Sequence, residues 1–431
     1  MSLQMGYNLA LSTRTSIQLA MKILHTSDWH LGQNFFTKSR RSEHQAFIAW
    51  LLNQIDEHQI DAVIVAGDVF DTGAPPSYAR ELYNQFVVSI SQRHCSLIVL
   101  GGNHDSVSTL KESKSLLACL HTQVVANTSD DLQDQLLTLK NKAGDVGAIV
   151  CAVPFVRPRD VMTSRAGESG TEKRQALGDA IKAHYHALYQ AAVELRSEHQ
   201  WKVPIITTGH LTALGVSPSK SVRDIYIGSL DGFAAEGFPP ADYIALGHIH
   251  RPQIVAKSEH IRYSGSPIPL SFDELKFSKQ VVLVEFDGEQ RISIEPISVP
   301  SFQPMAVLKG SLEEIEVQLS ALKDHDDPKP IWLHIEVAVQ DYLSDLQQRI
   351  QILTEDLNVE VLQLQRARTQ KSQALTQEAK ETLAELTPHD VFQKRLDLEV
   401  FDGEVEEARK VRIQTQFAQI VADVEHVEAG E

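Results

Sequence analysis

The strongest constraint on how this chain can fold is a set of short apolar runs, each giving way to glycine, histidine or aspartate. Tyr243-Ile244-Ala245-Leu246 runs into Gly247-His248-Ile249-His250. Met21 to Thr26 leads to Asp28 and His30, and Ala62 to Ala66 leads to Gly67-Asp68. Ser96 to Leu100 leads to Gly101-Gly102-Asn103-His104-Asp105, and Val203 to Thr207 leads to Gly209-His210. Continuous apolar runs this short read as strands buried on both faces. Helical repeats separate the first three: Phe47, Ile48, Leu51, Leu52 and Ile55, then Leu82, Phe86 and Ile90 after Pro75-Pro76. Strand alternating with helix predicts the α/β class, a sheet covered by helices.

Further along, Ala148 to Phe155 and Val203 to Thr207 read as strands around a long helical stretch, Thr171 to Glu198. Val281 to Phe286 and Arg291 to Val299 flank Asp287-Gly288, a hairpin signal. After Pro304 the pattern starts afresh, with strands at Met305 to Lys309, Ile331 to Val339 and Val359 to Leu364. Helices are expected between them at Ser311 to Leu322 and Asp341 to Asp356. The expected organisation is an upstream extension (1–20), a principal domain (21–300), a small α+β domain (301–370) and a linker with C-terminal helices (371–431). Arg366 to Glu385 reads as a connector, and Thr387-Pro388 as a helix start with a capping hydroxyl. The last helix, about Val405 to Val424, carries Ile413, Phe417, Ile420, Val421 and Val424 on one stripe. That stripe packs either on its own chain or on a partner.

At 431 residues the chain exceeds one ordinary core. No apolar run reaches the roughly 20 residues that cross a bilayer, so no membrane role is expected. Cys95, Cys119 and Cys151 are odd in number and lie in apolar surroundings, which suits small buried thiols in a reducing, cytoplasmic setting. The net charge of -17 argues against a broadly basic nucleic-acid surface. Much of the acidic excess, however, falls late, at Asp397 to Glu407 and Glu425 to Glu431.

Every candidate ligand sits where a strand becomes a loop, the place where sheets of this class gather their ligands. Taken singly the segments are ordinary: Gly67-Asp68 suits a turn, Gly-Asn-His-Asp a left-handed turn, and His25 within the first run a core histidine. All five together, each after a strand, point to one two-metal hydrolytic site. Aspartate, histidine and asparagine give nitrogen and oxygen donors without sulfur, which suits manganese, iron or zinc better than calcium.

The ordered set Asp28-x-His30, Gly67-Asp68-x-x-Asp71, Gly102-Asn103-His104-Asp105, Gly209-His210 and Gly247-His248-x-His250 resembles the calcineurin-like metallophosphoesterase superfamily. Its wording, Thr26-Ser27-Asp28-Trp29-His30-Leu31-Gly32, Gly67 to Asp71 and Gly101 to Asp105, is most similar to its bacterial DNA-nuclease branch. The resemblance implies a metallophosphoesterase β-sandwich flanked by helices. It implies two divalent ions, with manganese expected. One would be held by Asp28, His30, Asp68 and His250, the other by Asp68, Asn103, His210 and His248, with Asp68 shared. His104 would stay off the metals and face the scissile phosphate, its tautomer fixed by Asp71; alternatively Asp71 only caps the following helix. Superfamily protein phosphatases read Asp-Arg-Gly where this chain has Asp71-Thr72-Gly73, and Glu where it has Asp105. Both departures point towards phosphodiester cleavage.

The same resemblance implies a DNA exonuclease with single-strand and hairpin endonuclease activity, acting with an ATPase partner in repair and recombination. The small domain would cap DNA access, and the C-terminal helices would dock on the coiled-coil roots of the ATPase. A homodimer through helices near Ser77 to Ser91 and Ser106 to Leu120 is implied. DNA contact is expected from loops around Lys38 to Arg41 and Arg157 to Arg159, which could equally be solvated faces. The rival readings are a small-molecule or cyclic-nucleotide phosphodiesterase and a metal-free scaffold for DNA ends.

Overall fold

The computed structural model describes residues 20–161, 170–222, 232–323, 325, 327–338, 346–366, 412, 413, 416 and 417. The chain forms two compact units, Met1–Glu336 with Asp345–Leu364 and Val337–Ser344 with Gln365–Glu431. The candidate site lies wholly in the first. The expected connector after Arg366 and the Thr387-Pro388 helix start lie outside the described residues, as does nearly all of the terminal amphipathic helix.

Strands β1 (Ala20–Thr26), β2 (Asn34–Phe35) and β3 (Lys38–Ser39) are followed by α1 (Arg41–Glu57), β4 (Ala62–Val65), α2 (Ser77–Ser91) and β5 (Ser96–Leu100). Then come α3 (Val107–Lys111), α4 (Lys114–Ala118), β6 (Thr122–Val125), β7 (Leu136–Lys140), β8 (Val146–Cys151) and α5 (Pro158–Val161). The long helix α6 (Gly170–Glu198) precedes β9 (Ile205–His210), β10 (Tyr243–Gly247), β11 (Gln253–Val255) and β12 (Ser258–Tyr263). The hairpin of β13 (Gln280–Asp287) and β14 (Gln290–Ser298) follows. After it come β15 (Met305–Gly310), α7 (Leu312–Ser320), β16 (Ile331–Val337), α8 (Leu346–Thr354) and β17 (Val359–Arg366).

Two six-stranded sheets stack as a sandwich, in orders β14-β13-β1-β4-β5-β6 and β11-β12-β10-β9-β8-β7. Strict alternation in the apolar runs builds three cores. In β1, β4 and β5, Leu24, Val63, Val65, Leu97 and Val99 face α1 and α2. Their neighbours Ile23, Ala62, Ile64, Ile98 and Leu100 face the second sheet, meeting Ala148, Val150, Ile206 and Ala245. Ile149, Ile205, Ile244 and Leu246 point the other way, under Leu177, Ile181 and Leu188 of α6. Each central strand is thus covered on both faces, as its uninterrupted apolar run requires. The resulting helix–sheet–sheet–helix architecture is the α/β sandwich expected. A third sheet, β15-β16-β17, forms the small α+β element. Its helix α7 starts with a capping box between Ser311 and Glu314.

Some element bounds differ from expectation for visible reasons. The strand expected to reach Phe155 ends at Cys151, because Pro154 cannot donate to a ladder. Instead Val153 N donates to Thr208 Oγ1 at 2.8 Å and Phe155 N to Gly101 O at 2.8 Å, so this segment stitches one sheet to the other. The helix expected from Asp341 is described from Leu346; residues 341–345 lie outside the described residues. Strands β6, β7, β11 and β12 escape a reading by apolar runs because polar residues interrupt them, and three of the four are sheet edges.

Two buried histidines tie acid stability to this packing. His25 of β1 is fully buried, with Nδ1 2.9 Å from the Tyr243 hydroxyl across the sandwich. His44 of α1 is also fully buried. Burial pushes both down to about 3, aided at His44 by the Arg40 guanidinium. A base held neutral in the fold binds its proton more readily when unfolded. Its stabilisation is therefore complete above the ordinary histidine value of 6.5 and lost as pH falls towards about 3. Each should cost about 1.4 kcal/mol per pH unit within that window. Urea melts at about pH 7 and pH 5 should show the midpoint falling, and His25→Gln should remove one group's share of the fall.

Candidate metal centre

The parallel strands β1, β4 and β5 of the first sheet end at the same rim as β9 and β10 of the second. Each run terminates where its backbone must turn sharply to aim a side chain inward. Asp28 (φ 55°), His30 (φ 47°), Asp68 (φ 50°) and His248 (φ 92°) all adopt left-handed conformations. Such backbone is costly for residues with a Cβ and clusters at functional sites. The glycines let the two rims approach. A Cβ on Gly67 (φ 92°) would lie 2.2 Å from His210 Nδ1, and one on Gly247 would lie 1.9 Å from Ala66 O.

The structure brings Asp28, His30, Asp68, Asn103, His210, His248 and His250 together. Donor atoms of Asp28, His30 and His250 lie within 4.8 Å of one another, as do those of Asp68, His210 and His248. A third such group, His30, Asp68 and His104, joins them. Asn103 Oδ1 bridges the second cluster, 2.9 Å from His210 Nε2 and 3.0 Å from His248 Nδ1. Both Asp28 oxygens are held, Oδ1 by the His248 backbone N–H at 2.9 Å and Oδ2 by the Ser27 hydroxyl at 2.6 Å.

The electrostatics are those of a site built for cations. Asp68 is 1% exposed. Burial would raise its carboxyl, but His210, His30 and His104 outweigh that and hold it well below the usual range. Burial would likewise depress His210, yet Asp68, 3.3 Å away, lifts it to about 9. His30 is raised in the same way: Asp71, Asp68 and Asp28 overcome its burial. His248 moves down, through burial and the neighbouring His210 charge. His210 Nδ1 donates to Ala66 O at 2.9 Å, so in its neutral form Nε2 turns a lone pair towards the oxygens of Asn103 and Asp68. Lone pairs facing one another in a dry site want a proton or a metal between them. His30 Nε2, His248 Nε2 and Asp68 Oδ2 are buried there without a formed hydrogen bond. Buried polar atoms are rarely left so. The donor set therefore fits divalent metal ions.

His104 stands beside His30, with ring centroids 4.6 Å apart. Its Nδ1 meets the backbone carbonyl of Asp71 at 2.7 Å. The Asp71 carboxylate lies 3.1 Å from Nδ1 of His30. The Asp71 main chain thus reaches His104, and its carboxylate reaches the metal-ligand candidate His30. Asp105 has a role that sequence reasoning misses. It accepts from Gly102 N (2.9 Å), Phe70 N (2.9 Å) and Val69 N (3.2 Å), which locks the Gly-Asn-His-Asp loop to the Gly-Asp loop. Burial and Asp68 raise its carboxyl to about 6. Glu274 and Lys279, buried beside His250, escape it too. Glu274 follows Asp273 in what reads as an ordinary capped turn, and only a contact 24 residues distant sets it apart.

The basic loops divide. Arg40 is fully buried, paired with Glu43 at 2.7 Å, and therefore offers nothing to DNA. Lys38 pairs with Glu360 of β17 at 2.8 Å. Arg157 lies over the Phe155 ring at 5.5 Å, and that ring meets His210 edge-on. Arg159 is exposed.

Residues 21–252 match the calcineurin-like phosphoesterase family, and residues 301–400 match the Type 5 capsule protein repressor C-terminal domain. The chain is 53% identical to the SbcD subunit of nuclease SbcCD from Escherichia coli K12, over 95% of this chain and 99% of that one. It is 34% identical to the protein of that name from Rhodobacter capsulatus, over 72% of this chain and 78% of the other. For the Bacillus subtilis protein the figures are 30%, 75% and 81%. The chain belongs to the calcineurin-like phosphoesterases and, within them, to the SbcD family.

Proposed function

We propose that this chain is the nuclease component of an SbcCD-type complex, a divalent-metal-dependent hydrolase of DNA phosphodiesters. The observation that carries this reading is the convergence of seven oxygen and nitrogen donors, from two sheets, around buried atoms that lack hydrogen bonds. Asp28, His30, Asp68 and His250 would hold one cation, and Asp68, Asn103, His210 and His248 the other. Manganese is the metal proposed, in keeping with a mixed imidazole and carboxylate set without sulfur. When bound, the two ions would neutralise phosphate charge and lower the pKa of water.

The chain's own residues supply the rest. Ala66 O fixes the tautomer of His210, and Asp71 orients His30. Nδ1 anchored on the Asp71 carbonyl fixes the His104 ring, which faces the substrate. There it stabilises charge on the scissile phosphate or protonates the leaving 3′ oxygen. Arg157 and Arg159, near the His210 side of the rim, contact the DNA backbone. The proposed activities are double-strand exonuclease and single-strand or hairpin endonuclease. The region 301–370 caps DNA access, residues 371–431 dock on an SbcC-type ATPase, and the helices at 77–91 and 106–120 form a homodimer. The names of the relatives support the partner and the substrate.

Asp68→Asn should lower cleavage of linear double-stranded DNA with Mn2+ by about a thousandfold or more, the scale of losing a preorganised electrostatic group. Its circular dichroism spectrum should match the parent. His104→Gln should retain both ions by elemental analysis while turnover falls by about 10²–10⁴, the range of general acid–base catalysis. Deleting the chain after Leu386 should spare cleavage of short linear DNA but end co-purification with the ATPase.

A further inference from the structure

A carboxylate is an expensive group to bury, and Glu274 is buried completely. It lies in a short helical turn before β13, outside all five segments that supply the ligands. Nothing in the ligand set requires it, yet more polar contacts converge on it than on Asp28 or Asp68. Its Oε2 accepts from Lys279 Nζ at 2.5 Å, the Leu270 N–H at 2.9 Å and the Ser266 hydroxyl at 3.3 Å. Its Oε1 accepts from the Ser219 hydroxyl at 2.8 Å and from the Ser221 hydroxyl, and lies 3.3 Å from His250 Nδ1. Lys279, itself 6% exposed, spends its remaining protons on Ser266 Oγ (2.7 Å) and the His250 carbonyl (3.1 Å). The acid thus grips the His250 ring and the base grips the His250 backbone.

Ser221 completes the grip. Its Oγ is 2.6 Å from His250 Nδ1 and also donates to Glu274. With the serine proton committed to the carboxylate, its oxygen can only accept from the ring. Nδ1 of His250 must then carry the hydrogen, which leaves Nε2 as a lone pair on the side of Asp28 and His30. Metal-binding imidazoles are commonly oriented by such a carboxylate on the far nitrogen. His210 and His30 obtain the same service from Ala66 O and Asp71, residues within the ligand loops.

We propose that Glu274, charge-balanced by Lys279 and relayed through Ser221, is a positioning residue for the cation held at His250. This rests on the metal-centre reading of the proposed function. It assigns the buried pair a task in metal affinity and makes segment 217–221 part of the same unit, since Ser219 and Ser221 both end on Glu274.

The test is Mn2+ binding to the full chain by titration calorimetry, with melting of the metal-free protein recorded alongside. Two double variants separate positioning from packing: Glu274→Gln with Lys279→Met, and Glu274→Leu with Lys279→Met. Both remove the buried charges together, but only glutamine keeps an oxygen for the ring and the serine. The leucine variant should bind one of two ions about 10–100-fold more weakly, the usual cost of losing an orienting partner. The glutamine variant should stay near the parent, at a similar melting temperature. A leucine variant that binds both ions as the parent does would overturn the proposal and leave the metal centre standing. A parent that binds no Mn2+ would overturn both. Should the leucine variant fail to fold, Ser221→Ala reads the same contact, and unchanged affinity there would overturn the proposal equally.

Discussion

Asp68 is a carboxylate almost sealed from water, and the rim is organised around keeping it ionised. Three histidines lean on it, its backbone is left-handed, and the His104 N–H donates to its Oδ1 at 2.9 Å. A Cβ on Gly102 would fall 2.1 Å from that same oxygen, so the loop opposite must be glycine there. Asp105, close by, carries the cost. It shares the same dry space, and its carboxyl is pushed upward while that of Asp68 is pulled down. Two neighbouring acids with opposite shifts show a division of labour: one kept charged for cations, one used as a backbone clamp.

Strain and support are matched along this rim. Four of the seven candidate ligands sit in left-handed backbone, which persists only where surroundings over-determine it. Those surroundings are named bonds. Asp28 N donates to Gly67 O, His30 N to Asp68 O and Leu31 N to Val69 O, so the first two ligand loops zip together. The His248 N–H donates to Asp28, which joins the second sheet to the first. Rigid loops of this kind hold donor atoms close together in the face of mutual repulsion.

Much of this is legible in the sequence. Short uninterrupted apolar runs place β1, β4, β5, β9 and β10, because each is covered on both faces. Glycine, aspartate and histidine at their ends mark the rim, and all seven proposed ligands lie there. What the runs do not show is what depends on distant contacts or mixed surfaces. Edge strands such as β7 and β11 are short and broken by polar residues, and so lose the apolar signature. Glu274 and Lys279 are written like any surface acid and base, and only folding buries them against His250. Arg40 shows the opposite error: a basic residue in a polar loop reads as solvent-facing, yet it is sealed beneath Phe35 and paired with Glu43. The motif places Asp71 in the right loop, but that its carboxylate reaches His30 and its carbonyl reaches His104 is set by folded geometry that no spacing encodes.

The pairing of β1 with β13 has a consequence for how the chain comes to be folded. His25 lies opposite Val282, and Met21 opposite Phe286. The strand that carries the first two ligand candidates is therefore flanked on one side by β4, made early, and on the other by a strand made more than 250 residues later. During synthesis β1 emerges among the first strands and waits with one edge unpaired through most of translation. Loop closure over that distance is slow, and an open apolar edge invites association with other chains. The strand that leads into the first ligand loop therefore gains its second neighbour only when the hairpin at 280–298 arrives to close the sheet.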